Sequence, residues 1–178
     1  WTQLEAELPP VVVRDLLVHP REGDLVIGTY GRGAWVGDIT PLQQWNLEVA
    51  NSDVYLFDIE PKPQLNRSQQ AEWGEYKIKG SNQLRTSNEP TGLEIWYRFK
   101  SSSDEKAQLT VESADGKEVH KRELEAREGL RKVYWNTRNT IPGEYKVSLT
   151  YMGKTLTKAA QVTERWQWPV LNYRGDLP

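Results

Sequence analysis

Apolar and polar positions fall into two patterns along the chain. The first is a series of short β-branched runs. Val11-Val12-Val13-Arg14-Asp15-Leu16-Leu17-Val18 stops at His19-Pro20-Arg21-Glu22-Gly23-Asp24, where Pro and Gly mark a connection. Leu25 to Tyr30 reads as a second strand, and Gly31-Arg32-Gly33 turns the chain into a third, Ala34 to Ile39. Three adjacent strands of this length make a β-meander. A small antiparallel sheet with two apolar faces must stack on something else, as the blades of a propeller do.

The second pattern starts at Leu93, where Leu93, Ile95, Tyr97 and Phe99 alternate with Glu94, Trp96, Arg98 and Lys100, the signature of a half-buried strand. Ala107, Leu109 and Val111 repeat the alternation. Asp115-Gly116 gives a hairpin signal leading into residues 118–124. Residues 129–135 form the next strand, Ile141-Pro142-Gly143 turns into residues 144–151, and Met152-Gly153-Lys154 turns into residues 155–163. Six strands at short, even spacing predict a β-sandwich.

Between the two patterns, Glu60 to Gln70 is polar, holds two prolines and lacks periodicity, as a linker does. Trp73 to Ile78 either begins the next sheet or docks on the meander. The expected organisation is therefore a meander with its exit over residues 1–58, a linker with an incoming strand over 59–91, a sandwich over 92–164 and an aromatic tail over 165–178. The predicted class is all-β.

Composition sharpens this picture at two points. Eight Trp and eight Tyr in a chain only 37% hydrophobic place much of the burial on aromatic side chains. A net charge of -2 from 23 basic and 25 acidic residues, well mixed, gives no footprint for nucleic acid or an anionic membrane. No apolar run reaches the roughly 18 residues of a membrane-spanning helix, and no signal peptide is visible.

Candidate chemistry is sparse. Without cysteine there is no disulfide or thiolate site. His19 and His120 stand far apart, outside any ligand spacing, so no metal or cofactor is expected. Asp15, Asp24 and Asp38 sit near the meander turns, where Asp accepts backbone N–H groups. There is no phosphate loop, nucleophile elbow or dinucleotide fingerprint, and no catalytic residue is assigned. Ser113-Ala114-Asp115-Gly116 lacks the spacing of an Asp-box and reads as a hairpin.

The residues assigned to partner contact are Arg32, Trp96, Trp166, Trp168 and Tyr173. Arg32 between two glycines either presents a guanidinium to an anionic ligand or simply occupies a tight turn. Trp96 covers a second sheet, lines a partner surface or packs under a loop. Trp166, Trp168 and Tyr173 belong to a tail expected to pack back on the protein or to anchor a partner, since Trp, Tyr and Arg are frequent hot-spot types.

Taken in order, the apolar strand ending in His19-Pro20-Arg21, then Gly23-Asp24-Leu25-Val26, Gly28-Thr29, Gly31-Arg32-Gly33 and Asp38 with Thr40-Pro41-Leu42, resemble the last blade of bacterial sortilin-like propeller proteins of the BNR-repeat class. Tyr30 stands where that family often has His. The resemblance covers roughly the first third of the chain. It implies an upstream propeller, so that the chain is expected to be a C-terminal fragment or natural remnant, and it implies a periplasmic or extracellular location. Val133-Tyr134-Trp135-Asn136 with Ile141-Pro142-Gly143-Glu144-Tyr145 is similar to the recurrent phrase of FlgD-like and fibronectin-like Ig modules.

The expected function is a non-catalytic interaction module that binds other protein chains through the open blade edge and the aromatic tail. The alternatives are a non-catalytic fragment of a BNR-repeat glycoside hydrolase and a carbohydrate-binding module using Trp96, Trp166 and Trp168.

Overall fold

The computed structural model describes residues 9–20, 23–64 and 91–164. Trp73 to Ile78 and the tail with Trp166, Trp168 and Tyr173 lie outside the described residues. The class is all-β, and the chain divides into two compact units after Asn51.

In the first unit, β1 (Val13–Val18), β2 (Asp24–Thr29) and β3 (Ala34–Asp38) form an antiparallel meander in that order. The β2–β3 turn relies on Gly31 and Gly33, whose φ angles of 77° and 72° are open to glycine at little steric cost. A bulge between Val13 and Asp15 interrupts the β1–β2 ladder. Two short helices follow, α1 (Thr40–Gln43) and α2 (Leu47–Asn51). Asp38 Oδ1 accepts the Thr40 N–H at 2.8 Å ahead of Pro41, and Asn46 Oδ1 accepts the Val49 N–H at 3.0 Å, so each helix start has a side-chain acceptor.

The second unit contains β4 (Val54–Leu56), β5 (Lys62–Pro63), β6 (Leu93–Phe99), β7 (Lys106–Ser113), β8 (Glu118–Glu125), β9 (Gly129–Trp135), β10 (Gly143–Tyr151) and β11 (Lys154–Thr163). They form a three-stranded sheet, β4-β6-β9, and a five-stranded sheet, β5-β11-β10-β7-β8. The inward residues of both sheets meet in one core: Leu93, Ile95 and Phe99 from the first, Leu109, Val111, Val147, Leu149 and Val162 from the second. Six expected strands are present, and β6 alternates buried and half-buried along its whole length.

The expected boundary at residue 58 and the linker from 59 need correction. Val54–Leu56, read as the exit of the meander, pairs antiparallel with Phe99, Arg98 and Tyr97 as an edge strand of the second unit. Lys62–Pro63, read as linker, runs parallel to Val162 and Thr163. Proline is tolerated there because an edge strand needs only one side of its ladder. Beyond it, the Gln64 side-chain amide donates to the carbonyls of Arg138 at 2.9 Å and Thr140 at 2.7 Å, fastening the strand end to the loop that follows β9.

The hairpins form where turn chemistry places them. Ser113 and Lys117 close the Asp115-Gly116 turn through the Ser113 N–H and the Lys117 carbonyl at 2.9 Å. Met152 and Gly153 both take positive φ, 47° and 76°, the geometry of a two-residue turn matched to strand twist.

Candidate interaction surfaces

The meander of the first unit presents apolar side chains on both faces. Register puts Leu16, Ile27 and Trp35 in one cross-strand row, with Val18 and Leu25 beside it. Leu17, Val26 and Val36 form the adjacent row, which points to the opposite face because successive strand residues alternate. Leu16 is 58% exposed, Leu17 59% and Val36 65%, and every residue of β1 is exposed. Trp35 Nε1 is buried without a hydrogen-bond partner. Among the described residues, β1 and β3 each have one strand neighbour, leaving two open edges.

Arg32 sits exposed at the β2–β3 turn, flanked by glycines with open space around them. On β1, Arg14 lies 5.2 Å from the centre of the Tyr30 ring, within range of a cation–π contact. Two of the three aspartates bond locally: Asp15 Oδ1 accepts the Leu16 N–H at 2.9 Å, and Asp38 Oδ1 accepts the Thr40 N–H at the start of α1.

In the second unit, Trp96 stands on the outer face of β6 in a closed polar cluster. Its Nε1 donates to Glu94 Oε2 at 3.2 Å, Tyr134 O–H donates to Glu94 Oε1 at 2.5 Å, and Lys132 Nζ lies 3.4 Å from the same oxygen. The Glu94 side chain is only 13% exposed. Lys132 also sits 4.8 Å above the Trp96 ring and 5.3 Å above the Tyr134 ring. Burial pulls the Lys132 ammonium down, but the hydrogen bond to Tyr134 and the Glu94 carboxylate leave its pKa raised. Burial and the hydrogen bond to Glu94 raise that of Tyr134. Trp96 is thereby built into the sheet's own surface.

One group escaped the sequence reading. His120 and Arg122 on β8 and Arg131 on β9 occupy core-facing register positions, and the charges of Arg122 and Arg131 oppose the rise that burial gives the Tyr97 pKa. Parity carried the signal, since Arg122 is two residues from buried Leu124 and Arg131 two from buried Val133.

Among the described residues no group of three or more His, Asp or Glu side chains is placed to hold a metal ion, and no helix is long and apolar enough to cross a membrane. No family model, curated protein or solved structure matches this chain.

Proposed function

We propose that the chain is a non-catalytic interaction module that docks onto other protein chains through the β1–β3 sheet, with the aromatic tail as a second contact. The observation that carries this reading is the pair of apolar rows, Leu16-Ile27-Trp35 and Leu17-Val26-Val36, on opposite faces of one three-stranded sheet. A sheet with one apolar face needs one covering layer, and a sheet with two needs two. Open edges add unpaired N–H and C=O groups that a further strand satisfies.

The resemblance to the last blade of sortilin-like propellers supplies a context, because a blade is covered on both faces by its neighbours. In the second unit, an Ig-like sandwich is supported by the split of strands into β4-β6-β9 and β11-β10-β7-β8 over one core. It is supported further by Tyr145, whose O–H donates to the Ile141 carbonyl at 2.5 Å as a tyrosine corner does. Such a module suits an accessory subunit of an exported or periplasmic assembly.

The two apolar faces equally favour a second reading, in which the covering blades belong to the same polypeptide and the chain is the C-terminal part of a longer BNR-repeat protein. A carbohydrate platform gains no support from Trp96, whose ring already carries Lys132. Intact mass and native complex size of the endogenous protein separate the readings. A chain of 20.6 kDa held in a larger complex supports the docking module. A much longer chain moves the covering layers into the same polypeptide, and a solitary 20.6 kDa monomer overturns the docking proposal.

A further inference from the structure

The two open edges of the meander are not equivalent. The His19 N–H donates to the Asp24 carbonyl at 2.7 Å. By antiparallel alternation Asp15, Leu17 and His19 therefore turn their backbone groups to β2, while Leu16 and Val18 turn theirs outward. This edge is blunted. Asp15 Oδ1 already accepts the Leu16 N–H, and the bulge between Val13 and Asp15 breaks the line of the strand. At the other edge the Thr29 N–H donates to the Gly33 carbonyl at 3.1 Å. Gly33, Trp35 and Gly37 thus face β2, and the backbone groups of Ala34 and Val36 face outward. Among the described residues no strand lies beyond β3.

The side chains along β3 narrow what pairs there. A Cβ added at Gly37 would meet nothing within 4 Å, and its φ is not among the positive angles that call for glycine. Glycine inside a strand weakens it and marks a place where another group approaches closely. Two positions away on the same face stands half-buried Trp35. The edge also carries opposite charges at its ends, with Arg32 in the turn before β3 and Asp38 as its last residue.

An antiparallel copy of β3, related by a two-fold axis through Val36 and perpendicular to the sheet, fits each of these features. The outward backbone groups of Val36 form a hydrogen-bonded pair with their own equivalents, and Ala34 pairs with Asp38 of the other copy. The Trp35 ring of one copy lies over Gly37 of the other, a cross-strand aromatic–glycine pair that fills the gap. Antiparallel pairing also brings Arg32 of each copy toward Asp38 of the other. Both apolar rows continue across the axis: Leu16-Ile27-Trp35 runs into Gly37 and Leu25, and Leu17-Val26-Val36 meets its own repeat.

Resting on the docking reading above, we propose that the partner at the β3 edge is a second copy of this chain, joined by a two-fold β3–β3 ladder with Val36 on the axis.

Sedimentation of the purified chain over a concentration series, together with single-cysteine variants, tests this. The parent is expected to pass from one chain of 20.6 kDa to two as concentration rises. Gly37→Val places a β-branched side chain in open space, so its Tm stays at or above the parent's while its self-association weakens about tenfold or more. The chain has no cysteine of its own. Val36→Cys is therefore expected to oxidise to a covalent dimer, through Cα atoms about 5.5 Å apart. Ala34→Cys forms no such bond, its two copies being on the order of 13 Å apart along the ladder. A parent that stays monomeric at every concentration, or a Gly37→Val variant that associates as the parent does, overturns the pairing. Crosslinking of Ala34→Cys as readily as Val36→Cys overturns the register. A purified monomer beside an endogenous complex of larger mass removes the second copy and leaves docking onto another chain standing, whereas a monomer in both removes the docking reading as well.

Discussion

The space beside Gly92 is occupied by the carbonyl oxygen of Trp135: a Cβ added at position 92 would lie 2.1 Å from that oxygen and 2.8 Å from its carbon. Gly92 leads directly into β6 with φ of 136°, and the next residue, Leu93, is paired with Trp135. Alanine here has to push β9 away from β6 or abandon the backbone angle. Gly92→Ala is expected to lower stability by roughly 2–4 kcal/mol, combining backbone strain with loss of local pairing. Urea unfolding of the variant measures this. A loss under about 0.5 kcal/mol would show that the β6–β9 junction is looser than the geometry implies.

Tyr145 tests the corner separately from the core. Its ring packs edge-on against Trp135 at 4.9 Å, and its O–H reaches the Ile141 carbonyl. Tyr145→Phe keeps the ring and deletes the hydrogen bond, so the expected cost is about 0.5–1.5 kcal/mol. Tyr145→Ala removes both and is expected to cost about 3 kcal/mol or more. A Phe variant as damaging as Ala would place the energy in the hydroxyl and contradict this division.

Much of the second unit was legible because one face of each long strand is buried. Leu93, Ile95, Tyr97 and Phe99 announce β6 by period-2 alternation, and Asp115-Gly116 and Met152-Gly153 announce their hairpins by turn chemistry. Val54–Leu56 and Lys62–Pro63 were not legible. At three and two residues they are too short to show a period, and partners 41 and 100 residues further along, Tyr97 for Leu56 and Val162 for Lys62, fix them through backbone bonds. Among the candidate residues, Trp96 could be placed on the outer face, but the convergence of Glu94, Lys132 and Tyr134 around it depends on β6–β9 register. The core-side placement of His120, Arg122 and Arg131 left only a parity trace, because both arginines are exposed and break the apolar alternation of their strands.

His120 gives stability a dependence on mildly acidic pH. Burial, followed by the Arg122 charge, lowers its pKa below the ordinary 6.5. The folded state therefore holds its proton less tightly than the unfolded state does. The contribution is fully present above about pH 6.5 and is lost as pH falls from there through the folded-state pKa. The parent is expected to lose stability between about pH 7 and 5, and His120→Gln to lose less over the same range. Urea unfolding at several pH values provides the comparison. Parallel curves would show that His120 is not the group responsible.

Leu16 and Leu17 allow the two faces of the meander to be examined one at a time. They are neighbours in β1, project to opposite sides and are 58% and 59% exposed. Each is more than half exposed, so lysine at either position should change the unfolding midpoint by no more than about 0.5 kcal/mol equivalent. Under a covering partner, the same lysine buries an unpaired charge, which an interface tolerates poorly. Leu16→Lys and Leu17→Lys are thus both expected to release the protein from its native complex without unfolding it, as read by native mass and thermal midpoint together. If Leu16→Lys alone releases it, the Leu17-Val26-Val36 face is uncovered in the assembly and the sheet is an outer layer, not a middle one. The reverse result assigns the open side to Leu16-Ile27-Trp35. Retention of the complex by both variants would move the contact away from this sheet altogether.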